Sequence, residues 1–416
     1  MLRPTVKWLI AGVALLFFVA LLVLPGKRGG RAKLALQPPP GVARLPGVRG
    51  LLTPEAVTTA SLQVDGPFRI SPMGSQQVLL RLDRLAKTTV TLTANGFRLG
   101  TQVLPAPRLE VVPDGEGAAW VGDREYRGKI QLIRQPGGKV LIINAVPLED
   151  YIGGVVDSEM PREFGTEARK AQAVVARSYA LAQMQTARKN GALYDLYATT
   201  RSQKYHGRRY VAGDGRLLAG DSADSRQIAY ETAGMVCTDH GHLFCTYYSA
   251  VCGGSTSLGS DFFSDAAPPH QSVACEWCSE SPLYQWEATV TNAVLQTKIQ
   301  KYWTSQQSKF GTLQSLTIGP VPHAGGVAEV EMSDGKQKLK MPATLFRRIV
   351  GTSDLYSHHF TIERDGTSWV FKGAGHGHGV GLCQWGARGL AKTGKNFVEI
   401  LGHYYPGSQV VVLTER

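Results

Sequence analysis

The chain has 416 residues, 43% of them apolar and 19% charged, which is long enough for two or three domains and too apolar for a disordered chain. Lys and Arg outnumber Asp and Glu by 45 to 33, a formal charge of +12; this excludes a strongly acidic protein and points to a polyanionic partner without identifying it. Six cysteines are too few for a small disulfide scaffold.

Residues 8–24, WLIAGVALLFFVALLVL, form an uncharged apolar run ended by Pro25 and Gly26. A spanning helix takes about 20 such residues, and no A-x-A cleavage pattern follows. Residues 1–26 therefore read as an uncleaved signal anchor, with a cleaved signal peptide as the alternative. Arg3 and Lys7 precede the run and Lys27, Arg28, Arg31 and Lys33 follow it, a balance that by itself favours an inside body. Long domains translocate despite such charges, so the expected location is membrane-anchored with the body outside the cytoplasm. Residues 27–43 read as a basic, proline-rich linker stiffened by prolines 38–40.

Residues 44–143 alternate short β runs with turns, among them SLQVDG, QQVLLRLD and TTVTLTANG; in KIQLIRQPGGKVLIIN, the PGG at 136–138 predicts a hairpin. After Pro147 the pattern turns helical. LEDYIGGVVDSEM predicts one helix and residues 166–189 a longer one, in which Ala168, Ala171, Val174, Val175, Ser178, Leu181 and Ala182 recur at helical spacing. Residues 191–290 are loop-rich and hold five of the six cysteines. Strand-like runs return over 310–371, and a glycine-rich loop with a last helix at about 384–403 closes the chain. The expected class is α+β: a β-rich N-terminal part and a helical catalytic core, preceded by a transmembrane anchor.

Glu159 stands in SEMP, at the end of the first helix. An isolated glutamate there is ordinarily a solvated side chain or a cap; partly desolvated beside Met160, its pKa rises toward the working range of a general acid. Lys170 and Arg177, seven residues apart, project within about 20° of each other on a helix, either as a solvated face or as a cationic stripe, with Gln172 beside them. GHGHGVG alternates His376 and His378 with glycines and runs into Cys383, Gln384 and Trp385. Glycine permits close backbone approach, and Gln and Trp suit a sugar; a metal-binding H-x-H pair and a purely structural loop are the alternatives. CTDHGHLFCTYYSAVCGG and CEWC bring Cys237, Cys245, Cys252, Cys275 and Cys278 close in sequence. C-x-x-C spacing suits tetrahedral zinc, with Cys252 and Cys245 or a histidine completing the set. Disulfides are permitted outside the cytoplasm, and unpaired thiols are the third reading. Cys383 reads as a small buried residue.

Three stretches together resemble one family. NAVPLEDYIGGVVDSEMPREFGTEARKAQAVVARSYAL (144–181), YDLYATTRSQKYHG (194–207) and GHGHGVGLCQWGARGLAKTGKNFVEILGHYYPG (375–407) are similar, in order, to the signatures of the stage II sporulation protein D family of peptidoglycan lytic transglycosylases and amidase enhancers. The resemblance spans roughly residues 45–410, with a catalytic core over 144–410. It implies a catalytic role for Glu159 and substrate-cleft positions for Lys170, Arg177 and, more weakly, Gln172; the glycine-rich loop itself reads as a cleft wall, with His378 and Gln384 as its substrate contacts. It further implies cleavage of the MurNAc–GlcNAc bond, with denuded glycan strands as substrate and 1,6-anhydroMurNAc ends as product. Hydrolysis assisted by Asp157 or Glu163 stays open, as does a non-catalytic role enhancing a partner cell-wall amidase. The resemblance further implies structural zinc near these cysteines, as in some family members; the chemistry itself needs no cofactor. Ser249 stands where the family commonly has histidine, which favours a cysteine-rich site. No nucleic-acid motif occurs, so nucleic acid is not an expected partner.

Overall fold

The computed structural model describes residues 45–414. The expected anchor (1–26) and linker (27–43) lie outside these residues, and among those described no helix is long and apolar enough to cross a membrane.

The N-terminal part forms two sheets. A seven-stranded sheet centres on the hairpin of Lys129–Gln135 and Lys139–Val146, paired from Lys129 with Ala145 to Gln135 with Lys139. The turn between them holds Gly137 and Gly138 at φ 72° and 69°, a left-handed conformation that glycine adopts without Cβ strain. An eight-stranded sheet centres on Ala118–Val121, Ala60–Val64 and Leu85–Leu92. Leu62, Phe68, Ile70, Val111, Ile130 and Ile142 belong to one core that the helices also share. Later segments complete both sheets: Leu196–Tyr197 pairs in parallel with Val48–Leu51, and Arg209–Val211 pairs with Arg124–Arg127. The β-rich part and the helical core thus share sheets.

Helix α1 (Leu148–Glu159) and helix α2 (Thr166–Lys189) occupy the predicted spans. Tyr151, Ile152, Val155 and Val156 of α1 are fully buried. Gly153 and Gly154 let neighbours approach closely: a Cβ on Gly154 would come within 2.5 Å of the Tyr205 ring. Helix α3 (Ala223–Glu231) packs on α1 and α2.

Residues 285–374 carry a core of their own, built on Trp286, Leu295, Ile299, Phe346 and Phe371. Two three-stranded sheets flank it. The strand-like runs expected over 310–371 are present, with two helices the sequence reading did not foresee, α4 (Asn292–Ser305) and α5 (Ala343–Val350). Only Leu295 and Ile299 of α4 are buried, too few to write a strong helical period.

The single closing helix expected at 384–403 is two helices, α6 (Gln384–Lys392) and α7 (Phe397–Tyr404). Gly394 turns the chain at φ 88°. Asn396 then caps α7, its side chain accepting from the Val398 and Glu399 amides while Glu399 accepts from the Asn396 amide. The α+β class read from the sequence describes the result.

Candidate active site

Glu159 is the last residue of α1, and Met160 behind it is fully buried. Its Oε1 accepts hydrogen bonds from the Lys204 backbone amide at 2.8 Å and from the Tyr248 hydroxyl at 3.1 Å. Gln384 Nε2 faces Oε2 at 3.5 Å. Burial raises the Glu159 pKa above the usual glutamate value, and these hydrogen bonds oppose the shift without cancelling it. The carboxyl therefore keeps its proton to higher pH than a solvated glutamate while already holding donors that suit its charged form.

A cavity of about 440 Å³ opens on this carboxyl. Tyr247 and Phe263 form one wall, stacked with centroids 3.6 Å apart, and the edge of His378 meets Phe263 at 5.1 Å. His378 Nδ1 accepts from the Val380 amide at 3.0 Å, which assigns the proton of the neutral ring to Nε2. Burial pushes the His378 pKa down to about 4, so the ring enters the site uncharged. Arg201 lines the opening and lies 4.0 Å over the Tyr197 ring. Aromatic faces, amide donors and one buried acid together suit a sugar ring with polar substituents.

The structure brings together Glu159, Gln172, His378 and Gln384. Gln172 is fully buried behind the cleft and accepts from Gln384 Nε2 at 3.3 Å, so it meets the site through Gln384 and does not line the cavity. Lys170 and Arg177 do not join the cleft. They share a face of α2, as their spacing requires, but that face packs toward α3 and the start of α1. Arg177 is fully buried and pairs with Glu149 at 2.5 Å, donating also to the carbonyls of Met235 and Ala229. Lys170 pairs with Glu231 at 3.0 Å. Asp157 is occupied by Ser222 at 2.7 Å and by Arg169 at 3.4 Å, and Glu163 is exposed on a short 3-10 turn. Glu159 is the one carboxylate among the residues lining the cavity.

Sequence reasoning passed over Tyr248, the Lys204 amide, Tyr247 and Phe263. Two of these had a signal. The middle motif TTRSQKYHG supplies Lys204, and Tyr248 directly precedes Ser249, the position already singled out. Phe263 had none, since only folding of the 258–272 loop carries it to the cleft.

Cys252, Cys275, Cys278 and Cys383 lie together, with all four sulfurs within 4.8 Å of one another and all four residues buried. Cys383 therefore belongs to the cluster and does not stand apart. Cys245 does not belong to it: its sulfur accepts from Gln183 Nε2 at 3.2 Å, and the residue packs with Tyr179 and Ala182. Cys252 and Cys278 sulfurs are 3.7 Å apart, far longer than a disulfide bond of about 2.05 Å. The separation matches the edge of a tetrahedron with metal–sulfur bonds of about 2.3 Å. Amides also point at the cluster: Cys383 sulfur accepts from the Cys252 and Gly386 amides, each at 3.3 Å. Four buried thiols with amide donors form a set that fits a zinc ion.

A family model described as "Stage II sporulation protein" matches residues 136–238, the stretch that holds the hairpin, α1, α2 and the Lys204 loop. A second, described as "Domain of unknown function (DUF8618)", matches residues 276–381, which enclose the separate core around Trp286. The chain is similar to an uncharacterized protein of Brachyspira hyodysenteriae, 26% identical over 84% of this chain and 89% of that one. It is similar to the stage II sporulation protein D of Bacillus subtilis, 29% identical over 64% of this chain and 75% of the relative. The amidase enhancer of the same organism is 22% identical over 61% of this chain and 39% of its own length. The sporulation-protein match encloses the first two motifs, 144–181 and 194–207, and together with these relatives it bears out the family resemblance.

Proposed function

We propose that this chain, a relative of the stage II sporulation protein D and amidase enhancer proteins, is a peptidoglycan lytic transglycosylase. The observation that carries the reading is the state of Glu159. It is a lone cleft carboxylate, raised in pKa by burial, and its carboxylate form is already provided with donors. The protonated carboxyl gives its proton to the glycosidic oxygen as the MurNAc C1–oxygen bond breaks. The muramic C6 hydroxyl then attacks C1, and the Glu159 carboxylate takes the proton that this hydroxyl releases, which closes a 1,6-anhydro ring. A hydrolase working by two carboxylates needs the second within about 5–9.5 Å of the first. The engagement of Asp157 with Ser222 and Arg169 leaves it poorly suited to that task.

The proposal extends to context. The substrate is denuded glycan, the +12 charge suits an anionic wall polymer, and the body works outside the cytoplasm behind an N-terminal anchor. Cys252, Cys275, Cys278 and Cys383 would hold one structural zinc ion, which would tie their loops together. A second reading follows from the similarity to the amidase enhancer: a chain that binds peptidoglycan and stimulates a cell-wall amidase without cutting glycan. Purified protein incubated with denuded glycan strands, without amidase, separates the readings by mass spectrometry of the products. Anhydro ends, absent with Glu159→Gln, are expected. Reducing ends would establish hydrolysis, and no products would leave the enhancer reading.

A further inference from the structure

We propose that a second groove, on the module formed by residues 285–374, holds the glycan strand where it continues beyond the catalytic cleft. The proposal rests on the glycan-binding reading of the Glu159 site.

The groove measures about 720 Å³ and is lined by Gln285, Trp286, Glu287, His359, Phe360 and Lys372, among others. Trp286 is 7% exposed, and its indole lies across Gly373, where a Cβ would come within 2.2 Å of the ring. Two buried nitrogens of this lining, Trp286 Nε1 and His359 Nε2, have no hydrogen-bond partner. Native proteins rarely leave such atoms unpaired; these are two of ten among the described residues, and both lie just beneath the surface of one groove. An indole, a phenyl ring, an imidazole, an amide, a carboxylate and an ammonium form the mixed set that sugar rings, hydroxyls and N-acetyl groups engage.

The groove and the cleft are connected. The strand Ser368–Ala374 supplies Lys372, Gly373 and Ala374 to the groove and runs directly into the Gly375–His378 segment, whose His376 and His378 line the cleft. Gly373 and His376 are three residues apart, at most ~10 Å of extended chain. The Tyr356 ring spans the interval, 5.6 Å from Trp286 and 5.8 Å from His376, and its carbonyl accepts from the Gly377 amide at 2.9 Å. Trp286, Tyr356 and His376 thus form an aromatic path from one cavity to the other. Lys372 is exposed and pairs with Glu363 at 2.7 Å. Glu287 stands opposite Lys372 on the paired strand. Exposed pairs of this kind exchange partners at little cost, so Lys372 can turn from these carboxylates to the lactyl carboxylate that each muramic residue carries once its peptide has been removed.

The test uses the full chain carrying Glu159→Gln, so that binding is read without turnover, and titrates it with denuded glycan strands of increasing length. Strands long enough to leave the cleft should bind more tightly than short fragments. Thr361 also lines the groove and is exposed; Thr361→Trp, which places a bulky ring there, and Lys372→Ala should each reduce that gain by about tenfold or more. A gain that persists in both variants, or affinity that does not depend on strand length, overturns the proposal. The catalytic reading fails separately, by the absence of anhydro ends from the protein with Glu159 intact.

Discussion

The Tyr248 hydroxyl lies 3.1 Å from Glu159 Oε1, which also accepts from the Lys204 amide at 2.8 Å. Burial, and then the Glu159 charge, hold the Tyr248 pKa well above its ordinary value, so it donates at every working pH. The hydrogen bond favours the charged carboxylate and pulls its pKa down against the effect of burial. Tyr248→Phe removes that pull, so the Glu159 pKa rises further. A general acid works while protonated, and the alkaline limb of the pH–rate profile should move to higher pH. Loss of a hydrogen bond to a charged group should lower kcat about tenfold or more. A variant with reduced kcat and an unmoved alkaline limb would mean that Tyr248 only fills space.

The same raised pKa makes Glu159 a burden on the folded state at neutral pH. A carboxyl whose folded pKa exceeds its unfolded value binds its proton more tightly when folded. Stability is then fully retained below the unfolded pKa and is lost as pH rises through the folded one. Glu159→Gln removes the titration. Its melting temperature should exceed that of the parent at pH 7 to 8, and the two should converge below the ordinary glutamate range. Thermal melts across pH test this, and a variant less stable at neutral pH would contradict it.

What the sequence made legible follows from how local each signal is. The α2 span and the 136–138 turn are written in adjacent residues, by helical spacing in one and consecutive glycines in the other, and the structure matches both. The motif around Glu159 identified the acid because its neighbours in sequence are also its neighbours at the helix end. The Lys170 and Arg177 spacing specified a shared face of α2, but helical phase does not name what packs on that face. The partner of Arg177 is Glu149, 28 positions earlier. Cys383 joins Cys252 only through a contact across 131 positions, which the clustering of the other cysteines in sequence does not report.

Arg177 should behave as a structural residue. Its guanidinium is fully buried, and its loss would strand the Glu149 carboxylate among buried groups. Removing one partner of such a pair costs about 3–5 kcal/mol. Arg177→Met should therefore lower the urea midpoint strongly. Lys170→Ala breaks a partly exposed pair with Glu231 and should cost under about 1 kcal/mol. Equal, small losses for both would return Arg177 to the list of substrate contacts.

The cysteine cluster ties the metal proposal to the site through one backbone step. Cys383 caps the N-terminus of α6, accepting from the Gly386 amide, and the next residue, Gln384, faces both Glu159 and Gln172. An ion held by Cys383 would hold Gln384 in place as well. The purified chain should contain one zinc ion per molecule by elemental analysis. Cys252→Ser and Cys383→Ser should lose it, whereas Cys245→Ser, altered outside the cluster, should retain it. Chelation should lower the melting temperature on the order of 5–10 °C. Glycan cleavage should fall in parallel, because Gln384 loses its anchor. Metal retained in Cys383→Ser would remove Cys383 from the ligand set, and metal lost from Cys245→Ser would restore the ligand set expected from the sequence.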